Sequence, residues 1–170
     1  MTRLRRIADR DRIFFVTTNL RPRVPALSHS ERDLVVEQVA RQHAAGQFLL
    51  FGYVIMPSHA HLLIAPKAAG LIAVMREFKS CTALKLAVSR GSVRSFWQPR
   101  YFDFVLRRVG DFWDKLAYIH QNPVEAGLAT RAESWLWSSA AHYSGTGSVA
   151  AFIDPVDLPV DRHAWLRASV

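Results

Sequence analysis

The sequence predicts an α+β fold, a ferredoxin-like β-α-β-β-α-β sheet with one helix added at its C-terminal end. Three observations predict it. Short runs of aromatic and β-branched residues mark strands. Longer segments with apolar residues at helical spacing alternate with them. Their order along the chain is that of the split βαβ arrangement, in which two helices cover one sheet face and leave the other available.

The first run, Ile13 to Thr18 (IFFVTT), reads as a buried strand. Arg21 to Pro25 is a loop with two prolines. Ser28 or Ser30 can cap a helix that carries Leu34, Val35, Gln38 and Val39 at helical spacing and stops near Ala45, before Gly46. Phe48 to Met56 is continuously apolar, as a central strand is, and Pro57-Ser58 turns the chain. His59 to Ala65 returns as the second strand of a hairpin. Leu71 to Val88 is an amphipathic helix with Arg76, Lys79 and Lys85 among its polar positions. Phe96-Trp97 and Tyr101 to Arg107 form a last strand region, interrupted at Pro99. Gly110 to Asn122 is the added helix, and Pro123 is expected to end it, because a residue before proline is driven out of the helical region. A WLWSS turn region follows from Trp135, then a small-residue patch at Ser144 to Ser148 and a proline-containing tail.

Composition narrows the function. A chain of 170 residues, half of them apolar, suffices for one domain. The 22 Lys+Arg against 14 Asp+Glu leave a net charge of +8, which suits a polyanionic partner such as nucleic acid. Cys81 is the only cysteine, so no disulfide and no cysteine-based zinc site forms within one chain, and its spacing with Phe78 and Leu84 places it in the core. Met1 to Arg12 is arginine-rich but lacks the apolar stretch of a signal peptide, and no apolar run is long enough to span a bilayer. The expectation is a soluble cytoplasmic protein with no membrane partner.

Two motifs carry chemistry. His59 and His61 flank Ala60 on a predicted strand, so both imidazoles project from one face and make half of a metal site. Taken alone, the pair reads more readily as two polar residues on an exposed strand face. The second motif is Tyr118-Ile-His-Gln-Asn122, followed by Pro123. Tyr118 and Asn122 lie one helical turn apart, in one polar stripe with Asp111 and Lys115. Phe112, Leu116 and Ile119 form a separate apolar stripe that can anchor the helix. With the helix ending at Asn122, its amide oxygen is free for a cation; on the motif alone, Tyr118 as a half-buried packing residue and Asn122 as a C-terminal cap is the readier reading. His120 points about 160° away from Asn122 on the helical wheel, outside the site. His29, His43, His142 and His163 have no partner at ligand spacing.

MPSHAHLLI, FWQPRYFDFVLRR, and YIHQNPVEAGL with the later WLWSS resemble the HUH single-tyrosine transposases. Within that family the chain looks most like the transposases associated with repetitive extragenic palindromes (REP elements). The resemblance runs from about Arg12 to Tyr143 in the family's motif order, so residues 1–143 are expected to form the nuclease domain and 144–170 a tail whose role is open. Its specific part is the histidine pair after MP-S, followed some sixty residues on by Tyr-Ile-His-x-Asn-Pro-Val-x-x-Gly-Leu. Ser58 departs from it, since the family commonly has asparagine there.

The resemblance implies that His59, His61 and Asn122 hold the metal and that Tyr118 is the nucleophile. Tyrosinate then displaces the 3′-oxygen of a phosphodiester in single-stranded or hairpin DNA, leaving a 5′-phosphotyrosine and a free 3′-OH, and rejoining needs no ATP. A free tyrosine is ionised only to roughly 0.1% at pH 7, so the reaction needs help. The metal's expected tasks are to polarise and orient the phosphate. Two imidazoles and an amide oxygen suit Mg2+ or Mn2+, while histidines alone would also suit Zn2+. Lys115, three residues before Tyr118, is a candidate stabiliser of phenolate or phosphate, and no general base stands out. Arg3, Arg5, Arg6, Arg10 and Arg12 are candidates for DNA contact. Trp97, Trp113, Trp135 and Trp137 read as core. A monomer and a homodimer both stay open, because relatives of either kind resemble this chain. Two other readings remain: a replication initiator or relaxase-like nicking enzyme with the same chemistry, and a non-catalytic DNA-binding regulator that kept the fold.

Overall fold

The computed structural model describes residues 12–92, 95–147 and 151–156. Among them, β1 (Phe14–Asn19), β2 (Phe48–Ile55), β3 (His59–Pro66) and β4 (Phe102–Val105) form one antiparallel sheet in the order β2-β3-β1-β4. Helices α1 (His29–Ala44) and α2 (Gly70–Arg90) make the two crossovers. The expected ferredoxin-like order is therefore present, with α3 (Val109–Glu125) as the added helix. A short α4 (Ala140–Ser144) follows a single 3-10 turn. No described helix is long and apolar enough to cross a membrane.

Local chemistry explains the element ends. Ser28 starts α1 with a capping box: its hydroxyl accepts from the Glu31 N–H while the Glu31 carboxylate accepts from the Ser28 N–H. Arg90, at the end of α2, forks onto the same Glu31 carboxylate at 2.5 and 2.9 Å and ties the two helices together. That guanidinium holds the Glu31 carboxyl below its usual range. Gly91 ends α2 in the left-handed conformation.

Register divides the sheet into two faces. Thr17 pairs with His61 and Phe102, and Phe15 pairs with Leu63 and Phe104. Side chains of paired residues share a face, so Phe15, Thr17, His59, His61, Phe102 and Phe104 all project to one side. Val16, Leu62 and Ile64 project to the other and are buried in the apolar core. A bulge between Leu50 and Gly52 puts Gly52 opposite Leu63, on the same face as the histidines.

Gly52 sets how closely α3 approaches. A methyl group there would lie 2.7 Å from Leu116 Cδ1, closer than packed carbons come. The apolar stripe of α3, Phe112, Leu116 and Ile119, is fully buried as its spacing predicts. The helix does not stop at Asn122. It runs to Glu125 with Pro123 inside, and the missing proline N–H leaves the Ile119 carbonyl without its helical donor. Burial of Ile119 and Pro123 outweighs that local preference. The actual terminus is a Schellman motif. Gly127, at φ +68°, occupies its left-handed position, the Leu128 N–H donates to the Pro123 carbonyl at 2.8 Å, and the Gly127 N–H donates to Val124 at 2.9 Å.

The outer edge of β2 is covered rather than left open. Ile55 N–H donates to the Trp137 carbonyl and Ser139 N–H to the Tyr53 carbonyl, so the WLWSS segment lies along that edge. Further down, Asp154 N–H donates to the Leu50 carbonyl while the Asp154 carboxylate accepts from the Leu50 N–H and meets His43 Nε2 at 2.8 Å. Ala151 and Ile153 are buried with it. The folded body thus extends past residue 143 to include 151–156. Cys81 is half-buried rather than a core residue, whereas Trp97, Trp113, Trp135 and Trp137 are all buried as expected.

Candidate active site

Three elements meet at one end of the sheet. Strand β3 supplies His59 and His61, β1 supplies Phe15 and Thr17, and α3 supplies Lys115, Tyr118 and Asn122. His59 Nε2 lies 3.2 Å from Asn122 Oδ1. The two imidazole rings are 4.8 Å apart, and the Tyr118 ring stands edge-on to His61 at 5.4 Å between centroids. The four residues paired by motif in the sequence are therefore neighbours in space, although sixty residues separate the two motifs along the chain. Asn122 reaches His59 from the last turn of α3 and not from a helix end.

Each histidine is oriented from behind. Thr17 Oγ1 lies 2.8 Å from His61 Nδ1, and Ser58 Oγ lies 3.1 Å from His59 Nδ1. With Nδ1–H donating to the Thr17 hydroxyl, the His61 Nε2 lone pair is turned toward α3, whereas His59 Nε2–H donates to Asn122 Oδ1 and its Nδ1 accepts from the Ser58 hydroxyl. Phe15 stacks on His61 at 5.4 Å with 22° between the planes, which fixes the ring further. His61 is almost fully buried, yet its Nε2 has no hydrogen-bond partner among the described residues. A buried ring nitrogen of this kind is costly unless something fills its coordination.

Burial disfavours the charged form of both rings. Burial pushes His61 down to about 3, helped by His59 and the Lys115 ammonium. Burial also lowers His59, against the opposing effect of its contact with Asn122. Neutral imidazoles are the form that binds a cation. Among the described residues no three His, Cys, Asp or Glu side chains gather as a metal cluster. The donor set here is two imidazoles and one amide oxygen.

Tyr118 is the exposed member, at 42%. The Lys115 Nζ sits over its ring at 5.8 Å, and over Phe15 and Phe104 at 4.9 and 5.5 Å. A cation so placed stabilises negative charge on the phenol oxygen or on a phosphate brought to it. His120 is on the opposite side of α3, fully buried, with Nε2 2.8 Å from Ser139 Oγ. Its exclusion from the site by the helical wheel holds. Of the arginines proposed for DNA contact, Arg12 is exposed just before β1, while Arg3, Arg5, Arg6 and Arg10 lie outside the described residues. Sequence reasoning missed Thr17, Phe15 and Gly52. A Thr or Phe on a strand signals nothing until the register beside His61 is known.

Comparison with known proteins agrees with this architecture. No protein-family profile matches the chain. It is 23% identical over 141 residues to a REP-associated tyrosine transposase of Escherichia coli strain K12, covering 82% of each chain. A solved structure of a REP-associated tyrosine transposase bound to a REP hairpin superposes with a TM-score of 0.68 at 21% identity, over 93% of this chain and 96% of that one. The fold is thus that of a REP-associated tyrosine transposase, and the resemblance seen in the sequence motifs is borne out.

Proposed function

We propose that the chain is a metal-dependent single-stranded DNA endonuclease and strand transferase that acts on hairpin-forming DNA in the cytoplasm through a 5′-phosphotyrosine on Tyr118. The observation that carries this reading is the meeting of Tyr118 with two neutral, pre-oriented imidazoles and the Asn122 amide. The likeness to a transposase whose structure holds a REP hairpin supports hairpin DNA as the substrate class.

His59 Nε2, His61 Nε2 and Asn122 Oδ1 would hold the cation. The orphaned, buried His61 Nε2 fits that role, and an oxygen beside two nitrogens suits Mg2+ or Mn2+. When bound, the ion would polarise the scissile phosphate and offset charge building there. The rest belongs to the chain's own side chains. Tyr118 presents its phenol at the exposed rim, within reach of a strand lying on the sheet. Lys115, over the Tyr118 ring, supplies positive charge near the phenol as its proton leaves to solvent. The Tyr118 oxygen forms the new bond to phosphorus as the bond to the 3′-oxygen breaks, and the departing 3′-oxygen takes up a proton from solvent to become the free 3′-OH. Rejoining reverses these steps with another 3′-OH.

The test is a 5′- or 3′-labelled oligonucleotide hairpin with a single-stranded flank, incubated with protein and Mg2+ or Mn2+. A denaturant-resistant protein–DNA adduct is expected, lost in EDTA and in His61→Ala. Binding without any adduct across hairpin substrates would replace the nuclease by a DNA-binding regulator.

A further inference from the structure

Beside the site, the sheet face stays open over β4. Phe102 and Phe104 project there and are 57% and 41% exposed, unusual for phenylalanines on a sheet face beside a well-packed core. Both lie on the same face as His61, because Phe102 pairs with Thr17 and Phe104 with Phe15. Phe102 meets Phe15 edge-on at 6.4 Å, and Phe15 in turn meets Tyr118 at 5.9 Å. Ring contacts through the buried Phe15 therefore link the tyrosine to the exposed phenylalanines at the sheet edge. Residues two apart on a strand are about 6.7 Å apart, which leaves room for a separate flat ligand on each ring. Helix α3 packs over β2 and β3, and both rings stay exposed beside it.

The occupant is set by charge. Lys115 Nζ hangs between Phe104, Phe15 and Tyr118 at 4.9 to 5.8 Å, and Arg107 and Arg108 are exposed directly after the strand. Asp103 is turned to the opposite face by strand alternation. Flat apolar rings bordered by cations match a ligand with flat apolar faces and a polyanionic backbone, which is unpaired nucleic acid. An apolar protein partner would leave the lysine and arginines facing uncharged surface.

We propose that Phe102 and Phe104, with Lys115, form a two-base stacking ledge for unpaired nucleobases of the DNA strand adjoining the scissile phosphate. This rests on the nuclease reading of the site for the identity of the strand as DNA. The ledge holds one base per ring, Lys115 neutralises the intervening phosphate, and the strand is thereby aimed at Tyr118. Because every base has a flat face, the ledge selects for unpaired strand and not for sequence.

The experiment uses the full chain carrying Tyr118→Phe, so that the strand stays uncut, and hairpins with 2-aminopurine at successive flank positions. Quenching is expected at one or two adjacent positions. Phe102→Ala and Phe104→Ala should each relieve it and weaken flanked-hairpin binding by about tenfold, with blunt-hairpin binding unchanged. Phe→Tyr at either position should retain both signals. An abasic residue at the quenched position should weaken binding of the parent but not of the matching Ala variant. Flanked-hairpin affinity within twofold of the parent in both Ala variants would overturn the ledge, as would an equal loss on blunt hairpins. Unchanged DNA binding together with loss of a dimer in sedimentation would assign the surface to a second copy of the chain and also overturn it. Adduct formation by the wild-type chain is scored separately, so a chain that stacks bases yet forms no adduct overturns the nuclease reading alone.

Discussion

The position of α3 depends on a missing side chain, and Gly52→Ala tests that dependence. The added methyl would sit 2.7 Å from Leu116 Cδ1 and in ordinary contact with Leu63 Cβ at 3.7 Å. Leu116 is fully buried, so its side chain has no free volume to rotate into. The clash must be relieved by a strained rotamer or by lifting α3. Overpacking of this kind costs about 1–3 kcal/mol, which for a chain of this size lowers Tm by roughly 3–10 °C. Lys115 and Tyr118 flank Leu116 on the same helix, with Asn122 a turn further on, so lifting α3 also draws the tyrosine away from His61. Adduct formation should therefore fall further than hairpin binding does. Leu116→Ala alone opens a cavity and costs about 2–5 kcal/mol. Combined with Gly52→Ala, the new methyl fills part of that cavity, so the double variant should be more stable than the summed costs by well over 0.5 kcal/mol. Urea unfolding of the four proteins, with adduct rates beside it, gives the answer. Additive costs, or an adduct rate untouched by Gly52→Ala, would refute the claim that this glycine sets the helix.

Three further outcomes follow from the site. Thr17→Val keeps the shape but removes the acceptor at His61 Nδ1; Mn2+ affinity should drop roughly 10- to 100-fold and recover in Thr17→Ser, and unchanged affinity in calorimetric titration would remove Thr17 from the site. Burial holds His61 and His120 down to about 3, so between about pH 6.5 and 3 the unfolded chain takes up protons that the folded chain refuses, and stability falls as pH falls. From pH 7 to pH 5 each contributes a loss of about 2 kcal/mol, and urea midpoints equal at the two pH values would contradict the buried neutral state. Finally, His59→Ala should abolish adduct formation while leaving the urea midpoint near wild type, because its ring is only half-buried at the open end of the sheet; full adduct formation by this variant would remove His59 from the metal set.

Much of this site was legible before the structure. The strand parity of His59 and His61 and the helical spacing of Lys115, Tyr118 and Asn122 are local properties, fixed by the periods of strand and helix. The buried stripe Phe112, Leu116, Ile119 was readable for the same reason. What escaped depended on contacts between distant segments. Thr17 acquires its role only through the register of β1 against β3, and Gly52 only through a bulge and the approach of α3. The end of α3 was misplaced because Pro123 is a strong local signal, while the Schellman turn at Gly127 and the burial of Ile119 decide the outcome. The segment 151–156 looked like tail because its partners, Leu50 and His43, lie a hundred residues away.

The central claim is a covalent bond between Tyr118 and DNA, and peptide mapping of the adduct tests it most directly. Wild-type protein, a flanked hairpin and Mn2+ are reacted, denatured, digested with protease and nuclease, and sequenced by tandem mass spectrometry. The account predicts a nucleotide joined through its 5′-phosphate to Tyr118, with a free 3′-OH on the released strand and no adduct at all from Tyr118→Phe. A nucleotide carried instead by Tyr53, Tyr101 or Tyr143, or an adduct that persists in Tyr118→Phe, would contradict it.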